Sequence, residues 1–455
     1  MFGFIKAFRN LDKEVAKKIG FLSGIYALII FTYSIIRPLK DAVFLGFVGA
    51  EYQPIAKIGI MCFSPVFVLF YSLIMSRMQR HHAVATLIGG YAIICLFLAG
   101  ILLHPVIGLA NTATSSGRIL GWFVYALFDI FPLAIVTGFW ALTSSVSMPA
   151  KSSTQYGIMT ASSRLGGVLA SGFGYSVLKS ALPQTFSIPA LIILSATTLG
   201  LGSYIVLKMF KVLKPETLTG YADVHEIQIK KKKTGILEGL KAVVTEPYAI
   251  GIFVIFCAYE LISALTNFRV QYIVAAQTAH SVQKIGSYVF GYTFLFQLLG
   301  FFIALFGTTT LPKKIGMRVC LLITPAILFL FSTALIGNLD LMILTGMMIV
   351  MRALNYGFNT PVREMLYIPT SHKIQFMAKG WIDSFGKTFS KAAASVVNLA
   401  STTARFAGLS AMIAPISLVL SGGWIVTAIL LGSKHHIAVK KGEVIGGESK
   451  EILFK

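Results

Sequence analysis

Residues 19–44 read IGFLSGIYALIIFTYSIIRPLKDAVF, an uncharged stretch from Ile19 to Ile36 that runs directly into Arg37, Lys40 and Asp41. An apolar run of that length suits a helix crossing a bilayer core of about 30 Å. Charge at such depth is costly, so the three residues at its end are either anchors at the membrane edge or parts of a site.

The rest of the chain repeats the pattern. Of its 455 residues 56% are hydrophobic and only 12% are charged, with a mean hydropathy of +0.79. A soluble domain carries about 25% charged residues, so that class is excluded. Apolar runs fall at 19–37, 57–76, 83–103, 119–147, 155–178, 185–210, 248–276, 285–309, 316–336, 339–360, 380–402 and 409–433. A β-barrel would show alternating segments of about ten residues instead. The expected fold is an all-α polytopic membrane protein with twelve transmembrane helices in two six-helix halves.

The opening MFGFIKAFRNLDKEVAKK carries acids and no small-residue cleavage site, so the first span is expected to be retained. The cysteines Cys62, Cys95, Cys257 and Cys320 each stand alone in an apolar run, which reads as packing rather than a disulfide or metal framework. The net charge of +22 follows the loops. Lys6, Arg9, Lys13, Lys17, Lys18, Arg77, Arg80, Lys151, Lys230 to Lys233, Lys313, Lys314, Arg318 and the tail lysines all fall on one side if both termini are cytoplasmic. Arg118, Lys179, Lys284 and Arg405 are nearly all that the other side holds. That asymmetry is the positive-inside signature and accounts for the charge without nucleic acid. It makes the expected arrangement multi-pass with both ends inside.

The organisation expected is an N-terminal segment 1–18, a first half 19–210, a basic linker 211–247, a second half 248–433 and a basic tail 434–455. Two halves suggest parallel repeats. YGIMTASSRLGG (156–167) and KGWIDSFGKTFS (379–390) both carry a cation seven residues after a glycine, Arg164 and Lys387; TYSIIR and ALTNFR both end in arginine, Arg37 and Arg269. Removing loop charges leaves Arg37, Lys40, Lys57, Arg164, Arg269, Arg352, Lys387 and Lys391 against Asp41, Asp129, Glu260 and Asp383. Surplus buried cations are hard to stabilise unless an anion enters, so the cargo is expected to be anionic. Asp383, Lys387 and Lys391 share one helix face at i, i+4, i+8. Tyr125, Asp129, Pro132 and Trp140 form a stripe on the fourth span; Asp129 there suits either pairing with a cation in the empty site or carrying a proton. On the seventh span Glu260, Asn267 and Gln271 share a face. Tyr33, Phe131, Tyr259, Phe268 and Trp381 are aromatic candidates for stacking a base. The motifs of P-loops, serine hydrolases and zinc proteases are missing, which argues against an enzyme; no metal, cofactor or obligatory protein partner is inferred.

The stretches KAFRNLDKEVAKKIGF (6–21), YSIIRPLKDAVF (33–44), GAEYQPIAKI (49–58) and NYGFNTPVREMLYIPTSHKIQFMAKGWIDSFGKTFSK (355–391) resemble the bacterial and plastid ATP/ADP translocases, nucleotide carriers of the major-facilitator type. The resemblance runs nearly the full length. It implies that Lys40 and Lys387 serve nucleotide transport, with Arg37 as neighbouring arginine. It also implies an acid on the fourth span, where this chain has Asp129, and a glutamate on the seventh, where LTNFRVQ (265–271) places Asn267. Gln271 then stands for a lysine and Arg269 is new, so the charge pattern around the phosphates differs from the family's. The expected function is exchange of nucleotides or related phosphorylated anions across the lipid bilayer by alternating access. Arg37, Lys40, Asp129, Arg164, Asn267, Arg269, Asp383, Lys387 and Lys391 would line the cargo site between the halves. The alternative is proton-coupled symport of nucleotides or another organic anion, with Asp129 or Glu260 as the coupling acid.

Overall fold

The computed structural model describes residues 12–147, 149–218, 241, 243–306, 311–337, 339–371, 373–402 and 412–446. The expectations for residues 1–11, for Lys230 to Lys233, for Arg405 and for the tail beyond 446 lie outside the described residues. The described residues are overwhelmingly helical, and the one β feature is a bridge between Thr370 and Ile445.

The first helix, α1 (Lys13–Phe47), is capped by Asp12, whose side chain accepts from the Glu14 N–H. It is 35 residues long and spans about 52 Å at the usual rise. It therefore continues ten residues beyond the expected end at Arg37. Pro38 removes one N–H from the ladder without ending the helix, and Lys40 and Asp41 are buried inside it. The helix stops at Val48, followed by Gly49 at φ +115°, a conformation that suits only glycine.

The long helices that follow are α2 (Gln53–Arg77), α3 (Arg80–Leu102), α4 (Ile119–Ser145), α5 (Pro149–Lys179), α6 (Gln184–Val212), α7 (Pro247–Gln277), α8 (Val282–Phe306), α9 (Leu311–Ala334), α10 (Leu341–Leu366), α11 (373–402) and α12 (Ile413–Lys441). Among the described residues, ten helices are long and apolar enough to cross a membrane. The two long helices outside that set are α5 and α11, which carry the serine, threonine and glycine of YGIMTASSRLGG and KGWIDSFGKTFS. Wide π turns interrupt α4 at Pro132–Val136, α10 at Asn355–Asn359 and α11 at Lys373–Ala378 and Ile382–Gly386.

The described residues within Met1–Gln228 and Val274–Gln297 form one compact unit, and those within Ile229–Ile273 and Leu298–Lys455 form a second. In the first, α1 packs on α4, α5 and α6, and α3 packs on α6. Polar residues join these helices where water is absent. Thr32 and Thr198 hydroxyls meet at 2.7 Å, and Gln297 Nε2 donates to Ser34 Oγ and to the Gly167 carbonyl at 3.2 and 3.0 Å. Gly166 lets α5 approach α1: a Cβ there would stand 2.6 Å from the Ala27 carbonyl oxygen. Lys18 donates to the Val146 and Thr217 carbonyls at 2.8 and 2.9 Å, and Arg80 to the Ser145 carbonyl at 3.0 Å, so two cations cap the C-terminal end of α4.

In the second unit α9 packs on α10 and α12. Helix α11 follows α7 through a small-residue stripe. Gly386 lies against Phe253 and Phe256 and accepts from Cys257 Sγ at 3.8 Å, and Ala394 packs with Leu265. Cys95, Cys257 and Cys320 are buried as packing residues; Cys62 departs from that reading, because α2 exposes it.

Candidate functional site

Lys40 is the centre of the first unit's cluster. Its side chain is 9% exposed, and its Nζ lies 2.5 Å from Asp129 Oδ1 and 3.7 Å from Asp41 Oδ1. The ammonium also stands 4.4 Å from the centre of the Tyr125 ring. Tyr125 is buried one turn before Asp129 on α4, so the sequence stripe on that helix does face Lys40. Arg37, one turn earlier on α1, lies over the Tyr33 ring at 5.8 Å, and Tyr33 is parallel to Phe131 at 6.1 Å. Tyr91 meets the edge of Phe131 and donates to the Leu127 carbonyl at 3.0 Å. The lysine is thus held by removable acids, and Asp129 itself is 35% exposed.

Arg164 does not join that cluster. It acts on Tyr26, which stacks on Phe139 at 4.9 Å and meets Trp140 edge-on at 5.2 Å. Tyr26 is fourteen residues before Lys40 on α1, about 21 Å along the axis. Trp140 lies beyond the π turn Pro132–Val136 and belongs to this second level.

In the second unit, Asn267 Oδ1 accepts from Arg352 Nη2 at 2.7 Å. Tyr259 lies within the electrostatic reach of Tyr356, Glu260 and Arg352. Arg269 points elsewhere: it reaches the Tyr272 ring at 5.8 Å, and its buried Nε has no hydrogen-bond partner among the described residues. Gln271 is buried at 1% exposure.

On α11 the three residues at i, i+4, i+8 differ in burial. Lys387 and Lys391 are exposed, whereas Asp383 is half-buried with Oδ1 4.0 Å from Arg363 Nη2 on α10. Lys387 stays within electrostatic reach of the Asp383 carboxylate. Arg363 lies 4.6 Å from the centre of the Phe256 ring, and Glu364 accepts from Lys379. Of the aromatic candidates, Tyr33 and Trp381 are half-exposed, while Phe131, Tyr259 and Phe268 are buried. Sequence reasoning counted Arg352 among the surplus cations at membrane depth without placing it in the cargo site, and read Arg363 as a loop charge; the asparagines four apart after Arg352, Asn355 and Asn359, were the available signal for the former.

Long apolar helices with sparse cations, of which Lys40 is met by an acid and Arg352 by an amide on a neighbouring helix, fit a polytopic carrier of the major-facilitator type. A single-residue variant of the nucleoside transporter NupG shares this fold with a TM-score of 0.61 at 13% identity, over 91% of this chain and 99% of that one. A bacterial homologue of the iron transporter ferroportin, in an inward-facing state, gives 0.58 at 14% identity, over 92% and 98%. The chain belongs to the TLC ATP/ADP transporter family, which matches residues 3–341. It is similar to the ADP,ATP carrier protein 3 of Rickettsia felis, with 22% identity over 472 residues, 90% of this chain and 92% of the relative.

Proposed function

We propose that the protein exchanges nucleotides, or closely related phosphorylated anions, across a bacterial cytoplasmic membrane by alternating access. The observation that carries this is the Lys40–Asp129 pair: a buried cation whose acid partner on α4 is partly exposed. An incoming phosphate competes with Asp129 for the ammonium, and departure of the cargo restores the pair. Without either anion only Asp41, 3.7 Å away, offsets the lysine charge at membrane depth, at a cost of about 1–3 kcal/mol.

Lys387 and Lys391, exposed on α11, supply phosphate-binding charge in the second unit, with Arg37 beside Lys40 in the first. Both termini are cytoplasmic in this reading, and α5 and α11 also cross the membrane, giving twelve spans in halves 19–210 and 248–433. Support comes from the recurrence of features by position. The two less apolar helices are each the fifth of a half, and the π turns of α4 and α10 are in the fourth. The test is uptake of labelled nucleotides into proteoliposomes. Saturable uptake of at least one nucleotide is expected, and no uptake across purine and pyrimidine mono-, di- and triphosphates rules the cargo out.

A further inference from the structure

Arg352 lies in the apolar run LMILTGMMIVMRAL of α10 and is 6% exposed. Charge so placed within a span is costly and marks a function by default. The partner of its Nη2 is the Asn267 side-chain oxygen at 2.7 Å, and Asn267 is half-buried. The amide oxygen fixes the direction of the guanidinium.

The local backbone adds a second observation. Three residues after Arg352 begins the π turn Asn355–Asn359, where Asn359 Nδ2 donates to Asn355 Oδ1 at 3.2 Å. Three residues after Asp129 begins the π turn Pro132–Val136 of α4. Such turns concentrate at functional positions. A charge therefore stands at the same offset from the same irregularity on the fourth helix of each half.

Height along α7 and α11 is a third. Gly386 is level with Phe256 and Ala394 with Leu265, so Lys387 and Lys391 precede Asn267 along the common axis by roughly 7–14 Å. Arg352, brought to Asn267, extends the column of cations beyond them.

We propose that Arg352 is a phosphate-binding residue of the cargo site, that Asn267 is its positioning residue, and that this pair favours the more highly phosphorylated nucleotides. The proposal rests on the nucleotide reading above. A guanidinium can grip a phosphate through two parallel N–H bonds, which a lysine cannot. A carboxylate at position 267 would compete with the phosphate for the same donors.

The experiment compares wild type, Arg352→Lys, Asn267→Asp and Asn267→Ala in proteoliposomes, measuring KM and kcat for the mono-, di- and triphosphate of one nucleoside. Melting of each purified full-length protein is followed with and without tripolyphosphate. Asn267→Asp and Arg352→Lys are expected to raise the KM for the triphosphate about tenfold or more, with a smaller rise for the monophosphate and less stabilisation by tripolyphosphate. Asn267→Ala should weaken all three substrates more evenly. A KM series in Arg352→Lys and Asn267→Asp with wild-type ratios overturns the assignment. Should Arg352→Lys fail to fold, Asn267→Asp at its half-exposed site decides alone. Wild-type protein that neither carries a nucleotide nor is stabilised by tripolyphosphate overturns the nucleotide reading, and the assignment with it.

Discussion

Lys40 on α1 and Asp129 on α4 are joined at 2.5 Å, eighty-nine residues apart in sequence, with Asp41 Oδ1 3.7 Å from the same ammonium. The pair makes the cation tolerable in the empty protein and available to an anion. Asp129→Asn removes the nearer acid and leaves Asp41, so a destabilisation of about 1–3 kcal/mol is expected, below the full cost of an orphaned buried charge. Adding Lys40→Met should recover part of that loss, because the ammonium that lost its nearer acid is then gone. Transport should stay lost in the double variant. Thermal unfolding of the four proteins of this cycle, with uptake alongside, checks both parts.

Lys387 is exposed and makes no hydrogen bond or ion pair with another described residue. Exposed side chains of this kind usually contribute within about 0.5 kcal/mol of stability. Lys387→Ala is therefore expected to melt like wild type while losing uptake. A fall in melting temperature matching the loss of flux would assign the lysine to the fold instead.

Gly166 faces backbone, and backbone cannot rotate away. Gly166→Ala places a methyl 2.6 Å from the Ala27 oxygen, forcing α5 off α1 at a cost of about 1–3 kcal/mol. Gly90 on α3 has open space at its Cβ, and Gly90→Ala should show no such loss in the same melting assay.

Arg118 donates to the carbonyls of Asn111 and Ala113 through Nη1 and of Ile107 and Gly108 through Nη2, at 2.8–3.1 Å, with its guanidinium 3.5 Å from the Phe47 ring centre. One side chain thus folds the loop before α4 and seats it on the end of α1. Arg118→Ala should speed hydrogen exchange across residues 103–117 well before it affects α3 or α6. Unchanged protection there would mean that the loop holds its shape by its own turns.

The spans were legible because uninterrupted apolar runs have few other uses. The length of α1 was not, since Pro38, Lys40 and Asp41 read locally as the start of a loop. What keeps them helical is the acid on α4, a tertiary partner that no local pattern shows. Lys18, Arg80 and Arg118 read as loop charges. In the structure each donates to main-chain carbonyls, acceptors that every residue possesses and that sequence therefore hides. Regular helical periodicity joined Lys40's partners on α4, Tyr125 and Asp129, correctly. It misgrouped Trp140 with Asp129, across a π turn.

The most direct test of the central claim is uptake of labelled ATP and ADP into proteoliposomes that are either empty or preloaded with nucleotide, for wild type and for Lys40→Ala. The account predicts rapid uptake only into preloaded wild-type vesicles and none with Lys40→Ala at equal reconstitution. Equal uptake into empty vesicles, or wild-type flux in Lys40→Ala, would contradict it.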